Sequence, residues 1–256
     1  MTRIENKKDD RDLISGRNPV SEALKSGRAI ESLLIAKGEI NGSVKVIAAM
    51  AKEKKIPVKE TDRKKLDLMT GGTAHQGIVA IAAVKEYSTV DDIFALAQSR
   101  DEKPFIIVLD EIEDPHNLGA VIRTAECAGA HGVIIPARRS AGLNFTVGKA
   151  SAGAYEYIPV ARVTNIAAAL DELKDRGCWV YGADMSGETY CTADLRGASV
   201  LVIGSEGKGL GRLVREKCDM ILSLPMLGKI NSLNASVAAG ILMYEFTRQR
   251  MDIKAR

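Results

Sequence analysis

Five short, unbroken apolar runs, at 105–109, 132–136, 178–183, 200–204 and 220–224, constrain this chain more than any other feature. A half-solvated strand would alternate apolar and polar residues, and these do not. Helical patterns lie between most of them, at 118–128, 166–176 and 210–217. Continuous apolar strands separated by helices read as a parallel sheet covered on both faces. Such an α/β sheet binds ligands outside the carboxyl ends of its strands. A last helical pattern, 233–250, is apolar on more than one face, which fits core packing and also a subunit interface.

The first 84 residues alternate separately. Asn18 caps and Pro19 opens a short helix over 19–25. A strand follows at 32–36, then an amphipathic helix over 43–55 with Val44, Ile47, Ala48 and Ala51 on one face. A strand at 56–60, a helix at 62–69, a turn-rich loop from Thr70 to Gly77 and a buried strand at 78–84 complete a small α/β sandwich. Residues 1–12 are polar and aperiodic and are expected to be a disordered tail, leaving a domain over 13–84. Residues 85–104 read as a linker containing a short helix, and 105–256 as the second domain.

Composition narrows the classes. The chain has 256 residues and a net charge of +3. Residues 1–84 hold 16 Lys+Arg against 11 Asp+Glu, a net of +5, so the remainder is slightly acidic. A modestly basic module fits RNA binding, and it also fits an ordinary solvated surface. No apolar run approaches the roughly 20 residues needed to span a bilayer. The charged start lacks the apolar core of a secretory signal, so a cytoplasmic protein with no membrane partner is expected. Cys127, Cys178, Cys191 and Cys218 form no CxxC pair, and His75, His116 and His131 are scattered, so no metal site is expected.

Three unusual segments follow strands. The first, Asp114-Pro115-His116-Asn117-Leu118-Gly119-Ala120-Val121-Ile122-Arg123, opens a helix, with Asn117 a candidate cap. The Arg123 fork suits a phosphate or carboxylate, or a structural salt bridge. The second is Gly204-Ser205-Glu206-Gly207-Lys208-Gly209-Leu210-Gly211. Its glycines allow close approach of a ligand to backbone. It has neither the P-loop spacing nor the dinucleotide fingerprint, and Glu206 suits a cationic ligand better than a phosphate. The third runs from Ser223 to Ser236 and carries Pro225-Met226, Gly228, and the small polar residues Asn231, Ser232, Asn234 and Ser236. Asn and Ser can cap a helix and can also hold a polar ligand.

In order, the three segments resemble the three motifs of the SpoU (TrmH) family of RNA ribose 2′-O-methyltransferases. Asn117, Gly119 and Arg123 match the first, and Gly204, Glu206 and Gly209 the second. Pro225, Met226, Gly228, Ser232, Leu233, Asn234 and Ser236 match the third. The residues from Gly16 to Leu24 and from His75 to Ile78 are similar to the ends of the family's substrate-binding domain, whose fold is L30e-like. That domain points to the branch that methylates a guanosine ribose of 23S rRNA.

The resemblance implies a C-terminal α/β knot (a deep trefoil knot), S-adenosylmethionine as cofactor, RNA as substrate and a homodimer. It implies that Gly204, Leu224, Met226 and Leu233 bind the cofactor. It also implies that Arg123, Asn117, Glu206, Ser232 and Asn234 serve the chemistry, with Arg123 and Asn117 facing RNA. Guanidinium stays protonated at neutral pH, so Arg123 is expected to bind phosphate and stabilise developing alkoxide charge rather than act as a base. The alternatives are a tRNA methyltransferase, an antibiotic-resistance rRNA methyltransferase, and a non-catalytic RNA-binding assembly protein.

Overall fold

The computed structural model describes residues 11–253. Two compact units meet in sequence between Glu86 and Tyr87. Most of the expected disordered tail lies outside the described residues. Arg11 and Asp12, assigned to the same tail, instead begin a strand.

The first unit comprises β1 (Arg11–Ser15), α1 (Arg17–Lys25), β2 (Ile30–Ala36), α2 (Gly42–Glu53), β3 (Val58–Thr61), α3 (Arg63–Met69) and β4 (Ile78–Ala83). Its sheet has the order β1-β4-β2-β3, with only β2 and β3 parallel. β1 escaped sequence reading because its few apolar residues gain a face only once paired with β4. Asp12 is held there by Arg28, Nη2 to Oδ2 at 2.7 Å. The Asn18 cap is corrected: Gly16 takes the cap position and Asn18 lies inside α1. Val20, Leu24, Ile35, Val44, Ile47 and Ile78 pack in the core of this unit.

The second unit comprises α4 (Val90–Ser99), β5 (Phe105–Leu109), α5 (Pro115–Cys127), β6 (Gly132–Pro136), α6 (Phe145–Ala150), β7 (Val160–Val163), α7 (Ile166–Asp175), β8 (Trp179–Thr189), β9 (Ser199–Ile203), α8 (Arg212–Lys217), β10 (Met220–Ser223) and α9 (Ala235–Arg250). All six strands are parallel, in the order β10-β8-β9-β5-β6-β7. Two apolar layers cover them. One sets α5, α6 and α9 against residues such as Phe105, Ile107 and Leu201. The other sets α4 and α7 against Ile106, Val108 and Val200. The expected linker is therefore corrected: Ile93 of α4 is fully buried in the second layer. β7 is four residues long with a polar Arg162, too short to read as a strand without its partner β6.

Glycine in α5 is a packing requirement. A Cβ on Gly119 would lie 2.4 Å from the Ala150 Cβ and 2.9 Å from the Val147 carbonyl oxygen, both in α6. The last helix is tied to the rest at its far end. Phe246 stacks on Phe105 at 4.8 Å and meets the edge of Tyr181 at 5.4 Å. Gln249 donates from Nε2 to the Ala193 carbonyl and accepts at Oε1 from the Leu195 amide, each at 3.0 Å. Arg250 donates to the Gly197 carbonyl at 2.9 Å. These bonds strap α9 to the crossing segment between β8 and β9.

His131 is fully buried. Its Nδ1 accepts from the Phe105 amide at 2.9 Å, which leaves Nε2 to donate to Glu102 at 2.9 Å. Burial pushes its imidazole below the ordinary histidine value, against the opposing pull of Glu102. A histidine that is neutral when folded and protonates more readily when unfolded contributes stability above its unfolded pKa of about 6.5. That contribution is lost as pH falls from there toward the folded value. Urea midpoints should therefore drop from pH 7.5 to 5.5, and His131→Asn should flatten that slope. Gly119→Ala should cost about 1–3 kcal/mol by urea denaturation, the usual range for overpacking.

Candidate active site

The carboxyl ends of β8, β9 and β10 surround a cleft of about 280 Å³. The glycine loop after β9 forms one wall and the segment between β10 and α9 the other. Ile203, Leu222, Leu224, Ala235, Ala238 and Leu242 give it an apolar floor, and Asp184, Glu206 and Lys208 supply charge. A second cleft of about 300 Å³ lies beside it, lined by Glu111, Asp114 and Asn117 among others. The two share Ser205, Glu206 and Lys208.

The glycine loop closes on itself. Ser205 and Gly209 exchange backbone hydrogen bonds of 3.0 and 3.1 Å. A Cβ on Gly204 would sit 2.2 Å from the Gly209 carbonyl carbon, so no larger residue fits under this turn. Gly209 has φ +66°, a left-handed conformation natural to glycine. The loop is anchored below by Asp110 at the end of β5, whose Oδ2 accepts from the Gly211 amide at 2.8 Å. Burial pushes the Asp110 carboxyl up, against the pull of that amide.

Where the clefts meet, one oxygen joins all three unusual segments. Glu206 Oε1 accepts from Asn117 Nδ2 at 3.0 Å, from Asn234 Nδ2 at 2.6 Å and from the Ala235 amide at 3.3 Å. Asn234 Nδ2 also reaches Asn117 Oδ1 at 3.0 Å. Asn117 is not the cap expected of it. Asp114 caps α5, accepting from the His116 amide at 3.0 Å, with Pro115 in the first turn. The Asn117 side chain, inside the helix and buried, is thereby left for the junction. Asn234 serves both purposes: its Oδ1 caps α9 through the Ser236 and Val237 amides, and its Nδ2 makes the junction. The helix starts at Ala235, two residues later than the pattern suggested.

Gly204, Leu224, Met226, Ser232 and Leu233 all line the first cleft. Arg123 does not join this group. It is exposed on α5 and lines neither cleft. Six residues beyond Asn117, it points about 240° around the helix from it. Its neighbour Thr124 faces Gly240 of α9, with its Cγ2 3.7 Å from where a Gly240 Cβ would lie. Sequence reading missed Asp110, Asp184 and Lys208. Asp110 and Asp184 each end an apolar strand pattern at a carboxyl end, the one signal that could have singled them out.

Comparison with known proteins agrees with this geometry. Residues 104–244 match the SpoU rRNA Methylase family, and residues 13–88 match the domain described as RNA 2′-O ribose methyltransferase substrate binding. The chain belongs to the SpoU family. YacO of Bacillus subtilis (strain 168), named as a TrmH family tRNA/rRNA methyltransferase, is 52% identical over 94% of this chain and 97% of its own. The SpoU methyltransferase AviRb of Streptomyces viridochromogenes, solved with the cofactor AdoMet, superposes with a TM-score of 0.81. That match is 25% identical and covers 98% of this chain and 95% of AviRb. An AdoMet-bound rRNA methyltransferase of Sinorhizobium meliloti gives 0.76 at 26% identity, over 96% of this chain and 89% of the other.

The protein is an S-adenosylmethionine-dependent RNA methyltransferase whose second unit has the α/β knot fold of this family. The first cleft fits the cofactor in its chemistry. Its apolar floor suits an adenine, its loop offers backbone groups, and its carboxylates suit a ligand that carries a sulfonium and an ammonium. Among the described residues no cluster of His, Cys, Asp and Glu could hold a metal ion, and no helix is long and apolar enough to cross a membrane.

Replacing Glu206 with Ala should remove the acceptor shared by the three amides that converge on it. Urea denaturation should show a loss of about 0.5–1.5 kcal/mol, the net worth of a hydrogen-bonded junction whose donors water can partly reach. Gly204→Ala should weaken S-adenosylhomocysteine binding at least about tenfold, because the loop must open to admit a methyl group. Calorimetric titration measures the second effect.

Proposed function

We propose that this enzyme methylates a ribose 2′-hydroxyl of 23S rRNA, at a guanosine, and works as a homodimer. The observation that carries the reading is the Asn117–Glu206–Asn234 junction. It stands between a cleft suited to the methyl donor and a second cleft open to an acceptor. A ribosomal substrate is favoured by the substrate-binding domain and by the basic balance of residues 1–84. It also fits a cytoplasmic location.

In this reading Gly204, Leu224, Met226 and Leu233 hold the cofactor. When bound, the cofactor supplies an activated methyl on a sulfonium, so no metal is needed to make the electrophile. Asn117, Glu206, Ser232 and Asn234 orient the ribose and ease loss of the proton from its 2′-oxygen, with reacting atoms held near contact distance. Arg123 keeps its proton at neutral pH and meets RNA phosphate and the developing alkoxide. A dimer of this kind would account for its position away from the junction. Val237, Ile241 and Tyr244 leave an apolar stripe of α9 exposed, and Thr124, next to Arg123 in sequence, faces that helix at Gly240. Pairing through this stripe would hide it and bring the arginine of one copy toward the clefts of the other.

Transfer of labelled methyl from S-adenosylmethionine to unmodified 23S rRNA fragments, 16S rRNA and tRNA tests the substrate. Label in 23S rRNA is expected. Label in tRNA alone would overturn the assignment, and cofactor binding without transfer to any RNA would favour an assembly role. Arg123→Ala should lower transfer about a hundredfold, as loss of a transition-state donor does. It should leave S-adenosylhomocysteine affinity unchanged. Arg123→Lys retaining most activity would sink the bidentate role. Ile241→Glu should shift the protein to monomers in sedimentation and abolish transfer.

A further inference from the structure

The cofactor cleft contains a carboxylate that belongs to none of the three sequence motifs. Asp184 follows Ala183, which pairs with Ile203 in the β8–β9 ladder, so it stands level with the start of the glycine loop. Its two oxygens differ. Oδ1 is engaged on several sides: it accepts from the Ser186 amide at 3.0 Å and from the Ser186 hydroxyl at 2.7 Å. Arg215 lies 3.0 Å from the same oxygen and donates to the Ser186 hydroxyl at 2.7 Å. Oδ2 receives no hydrogen bond from the described residues. It lies over the glycine loop, 3.4 Å from where a Gly209 Cβ would be. The carboxyl is thus fixed through one oxygen, while the other lies by the glycine loop of a cleft that Asp184 lines.

An ordinary surface ion pair would not need this arrangement. Arg215 is on α8, outside the cleft lining, and Ser186 is the only other anchor, so both orient the group without filling the cleft. Burial of Asp184 opposes ionisation, but the Ser186 hydrogen bonds and Arg215 outweigh it and hold the carboxyl below the usual range. Glu206, the other cleft carboxylate, is likewise held through one oxygen, Oε1, but there it serves the junction. An anion held in place in the lining of the cleft is suited to receive donors from a ligand there.

We propose that Asp184 is a cofactor-binding residue whose Oδ2 accepts hydrogen bonds from a donor group of S-adenosylmethionine remote from the reacting methyl. Two groups of the cofactor have that chemistry: the ribose hydroxyls and the α-ammonium. Both lie on the side away from acceptor RNA if the methyl points to the junction. The inference rests on the cleft being the cofactor site, and its test reads binding without RNA or turnover.

Calorimetric titration of the full-length wild type, Asp184→Asn and Arg215→Ala with S-adenosylhomocysteine and 5′-methylthioadenosine decides it. The second ligand keeps the nucleoside and lacks the amino-acid tail. Asp184→Asn should weaken S-adenosylhomocysteine about tenfold or more, the usual loss for a charge-assisted hydrogen bond. An equal loss for 5′-methylthioadenosine assigns the carboxylate to the ribose, and no loss for it assigns the carboxylate to the ammonium. Unchanged affinity for both ligands overturns the proposal. So does a loss in Arg215→Ala as large as that in Asp184→Asn, since Arg215→Ala breaks the anchor but keeps the carboxylate. Wild-type protein that fails to bind S-adenosylhomocysteine would instead refute the cofactor cleft itself.

Discussion

A single carboxylate oxygen holds the site together. Glu206 Oε1 takes donors from Asn117 on α5, from Asn234 and from the first amide of α9. The donors come from segments that follow β5 and β10, and Glu206 itself follows β9; Asn117 and Asn234 lie 89 and 28 residues from it in sequence. A charged acceptor binds each donor more tightly than a neutral one would, and losing it leaves the amides without their shared partner. The glycine loop that carries Glu206 is in turn fixed by Asp110, and the helix that carries Asn117 is packed closely enough to require Gly119. Cofactor cleft, acceptor cleft and helix start thus share one electrostatic joint.

The fold makes that joint possible by constraining where α9 begins and ends. Its start is capped by Asn234, and its far end is strapped by Gln249 and Arg250 to the segment between β8 and β9. Phe246 between Phe105 and Tyr181 fixes the helix against the sheet. A helix held at both ends cannot slide, so the polar segment before it keeps its place beside the glycine loop.

Much of this was legible in the amino-acid sequence. The unbroken apolar runs gave five of the six strands of the second unit, because strands buried on both faces leave no polar alternation to confuse them. The motif residues Gly204, Glu206, Met226, Leu233 and Asn234 were legible because glycines, amides and a carboxylate after strands are locally unusual. β1, β7 and the packed role of α4 were not, since each acquires its apolar face only against a distant partner. Asn117 looked like a cap because capping is a local rule. Which of Asp114 and Asn117 does the capping depends on where the helix enters the layer, and that is set by packing.

The sequence by itself determined the class of sheet, the family and the three segments that the structure brings together, because periodicity and loop composition are local properties. Only the tertiary structure decided what those residues do to one another. It joined Asn117 and Asn234 through Glu206, kept Arg123 out of that group, and set one oxygen of Asp184 beside the glycine loop. Hydrogen bonds act over about 3 Å, and residues a hundred positions apart come that close only when strand order and helix packing bring them there.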